Sequence, residues 1–182
     1  LIKNENQRMN TQIERVLDMA LFDKKDIALK IEAVDVHQVI QEVTSDMQLK
    51  IAQEHVSMQL SLTAETHIIN SDRLHFYNII RNLIDNAIKY SKEDIRISLK
   101  TYNQGNHLCI KVIDQGIGMN NDTVKKIFDR FYRKTEGNIH TTKGFGLGLA
   151  YVKEILLKMN ANITVVSTLQ QGSEFTIIYP LV

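Results

Sequence analysis

Asn82 and Asn86 stand four residues apart in the stretch RNLIDNAIKYS, and Lys89 follows Asn86 by three. At helical spacing all three side chains share one face. Asparagine is a poor helix former, because its short amide competes for nearby backbone groups. A merely solvated face is better served by Glu, Lys or Arg, so the pair invites a chemical reading. An amide oxygen is a hard, neutral ligand able to complete a Mg²⁺ shell beside phosphate oxygens, and Lys89 adds charge for those phosphates. The plain alternative is a solvated face carrying two amides. DQGIG brings Asp114, Gly116 and Gly118 to the end of an apolar run. A carboxylate there can accept from an exocyclic amine while the glycines let backbone approach a flat ring; a capped turn is the other reading. GFGLGL sets Gly144, Gly146 and Gly148 ahead of a helical stretch. Backbone N–H groups at a helix start suit phosphate, and a flexible loop is the alternative. It is not the dinucleotide fingerprint, since a G-x-G-x-x-G frame from Gly144 ends on Leu149, and no Walker-type lysine follows.

The elements that must position these residues follow from the apolar periodicity. Phe76, Ile80, Leu83, Ile84 and Ala87 make the core stripe of a helix from 73 to about 90, which Ser71 or Asp72 can cap. Asn78, Asn82, Asp85, Asn86 and Lys89 fall on its other side. IRISLKTY and HLCIKVID read as strands joined by the turn signal NQGN, and the second delivers Asp114. KKIFDRFYR predicts a short helix, and KGFGLGLA opens another running to about Met159. ANITVVSTL and SEFTIIYPLV are strands joined by QQG. Upstream, Asp35 and Gln38 resemble a capping box for a helix through residue 55, with Val36, Val39, Ile40, Val43, Met47 and Ile51 inward. A short strand precedes it, and VSMQLSL follows as an alternating strand. Helices mixed with hairpin strands, without strict βαβ order, predict an α/β sandwich with helices covering one face of a mixed sheet. At the start, Met9, Ile13, Val16, Leu17 and Ala20 form a narrow helical stripe suited to packing on another helix.

Bulk composition removes several classes. A net charge of +1 over 182 residues offers no extended nucleic-acid face or acidic tail. Cys109 is the sole cysteine, so no internal disulfide forms and a reducing compartment fits. No stretch approaches the roughly 20 apolar residues of a membrane span. The chain opens at Leu1 in what reads as mid-helix, which predicts a piece of a longer protein.

Taken together and in order, these motifs resemble the catalytic and ATP-binding domain of sensor histidine kinases, within the GHKL superfamily, over nearly the whole chain. The resemblance implies a Bergerat-type two-layer α/β sandwich at 29–182, with 1–28 the second helix of a dimerisation and phosphoacceptor hairpin. It makes Asn86 the Mg²⁺ ligand, Asn82 a nearby polar contact, and Lys89 and Tyr90 nucleotide contacts. It makes Asp114 the acceptor for adenine's amine, with Gly116 and Gly118 beside it. IFDRFYR is similar to the family's phenylalanine box: Phe128 and Phe131 pack a lid, and Arg133 reaches the γ-phosphate. Gly144, Gly146 and Gly148 line the phosphates, while Phe145 departs from the small polar residue often found there. Gly172 and Ser173 lie near the adenine pocket.

The family's phosphoacceptor motif is missing: none of the six histidines is followed by an acidic residue, and the sole proline is Pro180. His140, inside the lid, is the histidine to check. The implied activity is transfer of the γ-phosphoryl group of ATP to a histidine on a hairpin supplied elsewhere, for relay to a response-regulator aspartate. Asn82, Lys89 and Arg133 would serve the transfer. The parent protein would be a homodimer with this domain in the cytoplasm. Two alternatives stand: an ATPase of the gyrase, mismatch-repair or chaperone type, or a nucleotide-binding module without catalysis. Such ATPases carry a glutamate where Asn82 stands, and an amide cannot take a proton from water at neutral pH.

Overall fold

The structure, a computed structural model, describes residues 27–91, 94–132 and 146–181. The N-terminal helical stripe, Arg133, His140, Gly144 and Phe145 lie outside the described residues.

Five strands form the main sheet in the order β2 (Ser57–Leu62), β4 (Arg96–Gln104), β5 (His107–Asp114), β7 (Gly172–Pro180), β6 (Asn162–Thr168). β2 and β4 run parallel and the other neighbours antiparallel, so the sheet is mixed, as expected. A small second sheet pairs β1 (Glu32–Asp35) with β3 (Ile68–Ser71), a strand too short for its alternation to stand out in the sequence. α1 (Val36–Asp46), α3 (Arg73–Lys89) and α5 (Gly148–Lys158) supply the helical layer. Leu99, Ile110 and Ile177 on the sheet bury completely with Ile40, Ile80 and Ile155 of the helices.

α3 shows why an asparagine-bearing segment is helical. Seven of its residues are buried, from Phe76 to Ile88. Burial stabilises by roughly 1.5–3 kcal/mol per large apolar side chain, which outweighs the few tenths that each asparagine costs in propensity. Asp72 starts the helix by accepting from the His75 N–H at 3.0 Å, and its other oxygen takes the Lys30 N–H at 2.8 Å. Ser71, the other candidate cap, instead ends β3 and bonds Tyr179 from inside the core.

Two elements depart from the sequence reading. The helix expected to run on from Val36 to residue 55 breaks at Met47, which closes α1 and opens α2 (Gln48–Gln53). The break follows Thr44, Ser45 and Asp46, all weak helix formers. The short helix expected at KKIFDRFYR is displaced toward the N-terminus as α4 (Asn121–Lys126), because Asn120 caps it through the Thr123 N–H at 2.8 Å. Ile127 then turns into the core instead of extending the helix.

Candidate functional site

Strand alternation assembles the site. On the face of the sheet that the helices cover, Ile97, Asp114, Ser173 and Ser167 are successive cross-strand partners on β4, β5, β7 and β6. The apolar rows of the same face lie along the strands beyond them, so a polar row closes the end of the core. Asp114 is 7% exposed. Burial pushes its carboxyl above the usual carboxylate range, and the main-chain N–H groups of Gly116 and Ser173 pull it back only in part. The Gly116 N–H meets Oδ1 at 2.8 Å. A carboxylate has about four lone-pair positions, so acceptor capacity is left for a donor arriving from outside.

The loop after Asp114 is fastened on both sides. The Ile117 N–H donates to the carbonyl of Tyr90 at 2.9 Å, joining the loop to the C-terminal cap of α3. The Ile117 carbonyl accepts from the Gln170 N–H at 2.7 Å, and the Met119 N–H reaches Ser167 Oγ at 2.8 Å. Gly118 has φ +61°, and a Cβ there would sit 1.9 Å from the Thr168 carbonyl oxygen, so no side chain fits.

Asn82 and Asn86 separate into two roles. Asn82 Nδ2 donates to the Asn78 carbonyl at 2.9 Å, and a Cβ on Gly148 would lie 2.8 Å from Asn82 Oδ1. The amide of Asn82 is therefore held against the first residue of α5. Among the described residues, the half-buried Asn86 carboxamide bonds to nothing. A hard oxygen on a rigid helix, without an internal partner, suits a divalent cation. Among the described residues no group of three or more His, Cys, Asp or Glu is placed to hold a metal ion. An ion at Asn86 would thus draw its remaining oxygens from phosphate and water, as Mg²⁺ commonly does.

Lys89 Nζ lies 5.0 Å from the Tyr90 ring centroid, and the ring is 38% exposed, so cation and aromatic surface meet solvent together. Asp85 on the same helix pairs with Lys50. The start of α5 has no side-chain cap, leaving N–H groups of its first turn for an anion.

Thus Tyr90, Asp114, Gly116, Gly118 and Ser173 converge, Asn82 meets Gly148, and Phe131 meets Gly146 through a 3.0 Å bond from its N–H to that carbonyl. Phe128 packs against the core, with Lys153 Nζ 5.4 Å from its ring centroid. Phe131 does not: it is 61% exposed with φ +64°, because the chain turns at this point and carries the ring outward. Sequence reading missed Ser167. Its signal is the alternation of β6, where Ile163, Val165 and Ser167 share a face and a hydroxyl ends an apolar row.

The family model described as histidine kinase-, DNA gyrase B-, and HSP90-like ATPase matches residues 71–182. Over 183 residues the chain is 39% identical to Sensor protein RprX of Bacteroides fragilis (strain YCH46), an alignment that takes in 100% of this chain and 35% of that protein. The chain therefore spans about a third of that relative's length. Full-length ShkA, solved in complex with AMPPNP, superposes with a TM-score of 0.82 at 24% identity, over 97% of this chain and 36% of that one. Histidine kinase ThkA, solved in complex with response regulator protein TrrA, superposes with a TM-score of 0.76 at 20% identity, over 100% and 49%. These structures share the fold described above.

Proposed function

The chain belongs to the histidine kinase-, DNA gyrase B- and HSP90-like ATPase family, and from that premise we propose that it is the ATP-binding catalytic domain of a two-component sensor histidine kinase. Adenine enters at the polar end of the sheet with its amine on Asp114. The triphosphate runs along α3 toward Lys89 and the start of α5. Mg²⁺ bound at Asn86 would neutralise phosphate charge; Arg133 and Gly144 extend the phosphate contacts. The observation that carries the reading is the contrast of Asn82 and Asn86, one amide tethered and the other without a partner among the described residues.

What this chain's residues do is position and neutralise, which is most of what phosphoryl transfer asks of a protein. Asn82 cannot act as a base toward water, and Asp85 is occupied by Lys50. The γ-phosphoryl group is kept for an imidazole on a dimerisation hairpin, of which residues 1–28 are the remnant. The phosphorylated histidine then serves an aspartate on a response regulator. RprX is a sensor protein, and ThkA was solved with a regulator bound, which supports this order of partners. The parent protein works as a homodimer with this domain in the cytoplasm.

Asn86→Ala is expected to weaken Mg²⁺-dependent ATP binding by at least about tenfold, measured calorimetrically with and without Mg²⁺; unchanged affinity removes Asn86 as the ligand. Supplying the hairpin in trans with γ-labelled ATP then tests transfer. Acid-labile label on the hairpin supports the kinase. ATP hydrolysis with an unlabelled hairpin points to an ATPase, and neither event to a module without catalysis.

A further inference from the structure

The Ser167 hydroxyl stands at a junction of three hydrogen bonds. It receives the Met119 N–H at 2.8 Å, lies 2.8 Å from the Gly172 carbonyl oxygen, and lies 3.0 Å from Ser173 Oγ. A serine hydroxyl has one proton to give and two lone pairs to accept with. A carbonyl only accepts, so the Ser167 proton goes to Gly172. The contact with Ser173 is then favourable only if Ser173 donates, filling the second lone pair of Ser167; otherwise two oxygen lone pairs face each other at 3.0 Å. Every group at the junction is satisfied in this arrangement.

The consequence falls on Ser173. It is the cross-strand partner of Asp114, on the same face of the sheet, and is 9% exposed. With its proton directed at Ser167, Ser173 Oγ presents lone pairs alone. Asp114, when ionised, also only accepts. The end of the polar row therefore offers acceptors and no side-chain donor.

We infer that Ser167 is a positioning residue for base selectivity: by orienting the Ser173 hydroxyl it makes the pocket floor accept a purine with an amine at position 6 and reject one with a carbonyl there. A 6-amino group brings two N–H donors to two acceptors. A 6-oxo group brings lone pairs to lone pairs, the kind of mismatch that buried polar sites reject strongly. This inference rests on the assignment of adenine to Asp114.

The test is the ratio of affinities of the full chain for ATP and for inosine triphosphate, which has a carbonyl in place of the amine at position 6 and a proton on N1, both with Mg²⁺. Ser167→Ala frees the Ser173 proton to point into the pocket, and the ATP preference is expected to fall about tenfold, the worth of one hydrogen bond. Ser167→Thr keeps a hydroxyl and is expected to restore the preference. An unchanged ratio in folded Ser167→Ala overturns the inference, and so does an equal fall in Ser167→Thr. If Ser167→Ala does not fold, Ser173→Ala probes the same pair from its other member. ATP affinity is then expected to fall by more than that for inosine triphosphate, and equal losses for both overturn the inference. Asp114→Asn run alongside separates the two layers: if it leaves ATP affinity intact, the adenine assignment itself fails, whereas a loss there with an unchanged Ser167→Ala ratio rejects only the role of Ser167.

Discussion

Two clusters of buried polar groups lie on the helix-covered face of the same sheet, and they are built to opposite ends. One is the row Asp114, Ser173, Ser167. The other surrounds Thr101, four residues along β4 from Ile97, or about 13 Å at strand rise. There His37 Nε2 meets Thr101 Oγ1 at 2.8 Å, and the His37 and His67 rings stack with centroids 4.1 Å apart. His67 Nε2 lies 3.7 Å from Asp35 Oδ2, and the Thr63 hydroxyl donates to the Thr101 carbonyl. The Thr101 cluster spends its hydrogen bonds on its own chain and ties α1 to β4. At Asp114 acceptor capacity is left over, and Gly118 has no room for a side chain. Buried polarity alone does not mark a site; buried polarity with unspent capacity and cleared backbone does.

The largest expected effect separates the two clusters directly. Asp114→Asn turns an acceptor toward a donor and is expected to weaken ATP binding roughly 10- to 100-fold, the range for hydrogen bonds to charged groups. Thr101→Val is expected to leave ATP affinity within about twofold while costing about 1–3 kcal/mol of stability, because it strands the His37 ring. Calorimetry and urea unfolding read the two properties. Equal effects of both variants on affinity would erase the distinction. The raised carboxyl of Asp114 adds a sign: a folded-state value above the unfolded one means the ionised form costs stability. Nucleotide-free Asp114→Asn is therefore expected to be at least as stable as the native protein at neutral pH. That advantage disappears as acid protonates Asp114.

A second contrast uses two glycines of similar backbone conformation. Gly118 and Gly105 have φ of +61° and +55°, but a Cβ meets the Thr168 carbonyl at the first and nothing within 4 Å at the second. Gly118→Ala is expected to destabilise by more than the roughly 1–2 kcal/mol of left-handed strain and to impair ATP binding. Gly105→Ala is expected to show that strain alone, with affinity unchanged. Thermal unfolding and nucleotide titration of both variants check this.

Much of this was legible in the sequence, for physical reasons that can be named. The α3 stripe, the Asp35 cap and the β4–β5 hairpin are local patterns, and all three form as their residues dictate. The convergence of Tyr90, Asp114 and Gly118 follows once the strands pair. The break at Met47 and the outward turn of Phe131 depend on what neighbouring segments leave room for, which spacing does not encode. The close approach of Gly148 to Asn82 was equally hidden, since the two lie 66 positions apart.

The smallest effect concerns acid. Burial, and then the neighbouring His67, hold the His37 ring below its ordinary value of 6.5, with Asp35 opposing. A lowered folded-state value means the neutral ring is favoured, so its contribution is present above the unfolded value and lost as pH falls through the folded one. Unfolding measured between neutral pH and pH 5 is expected to show stability falling, less steeply in His37→Asn. A steeper slope in that variant would place the acid sensitivity elsewhere.

The most direct test of the account is an amide-resolved NMR titration of the full chain with ATP and Mg²⁺. Saturable shifts are expected to be largest at the N–H groups of Gly116, Met119 and Ser173, with those of Ala64, His67 and Thr101 nearly still. Spectra that do not change, or shifts centred on Thr101, would contradict it.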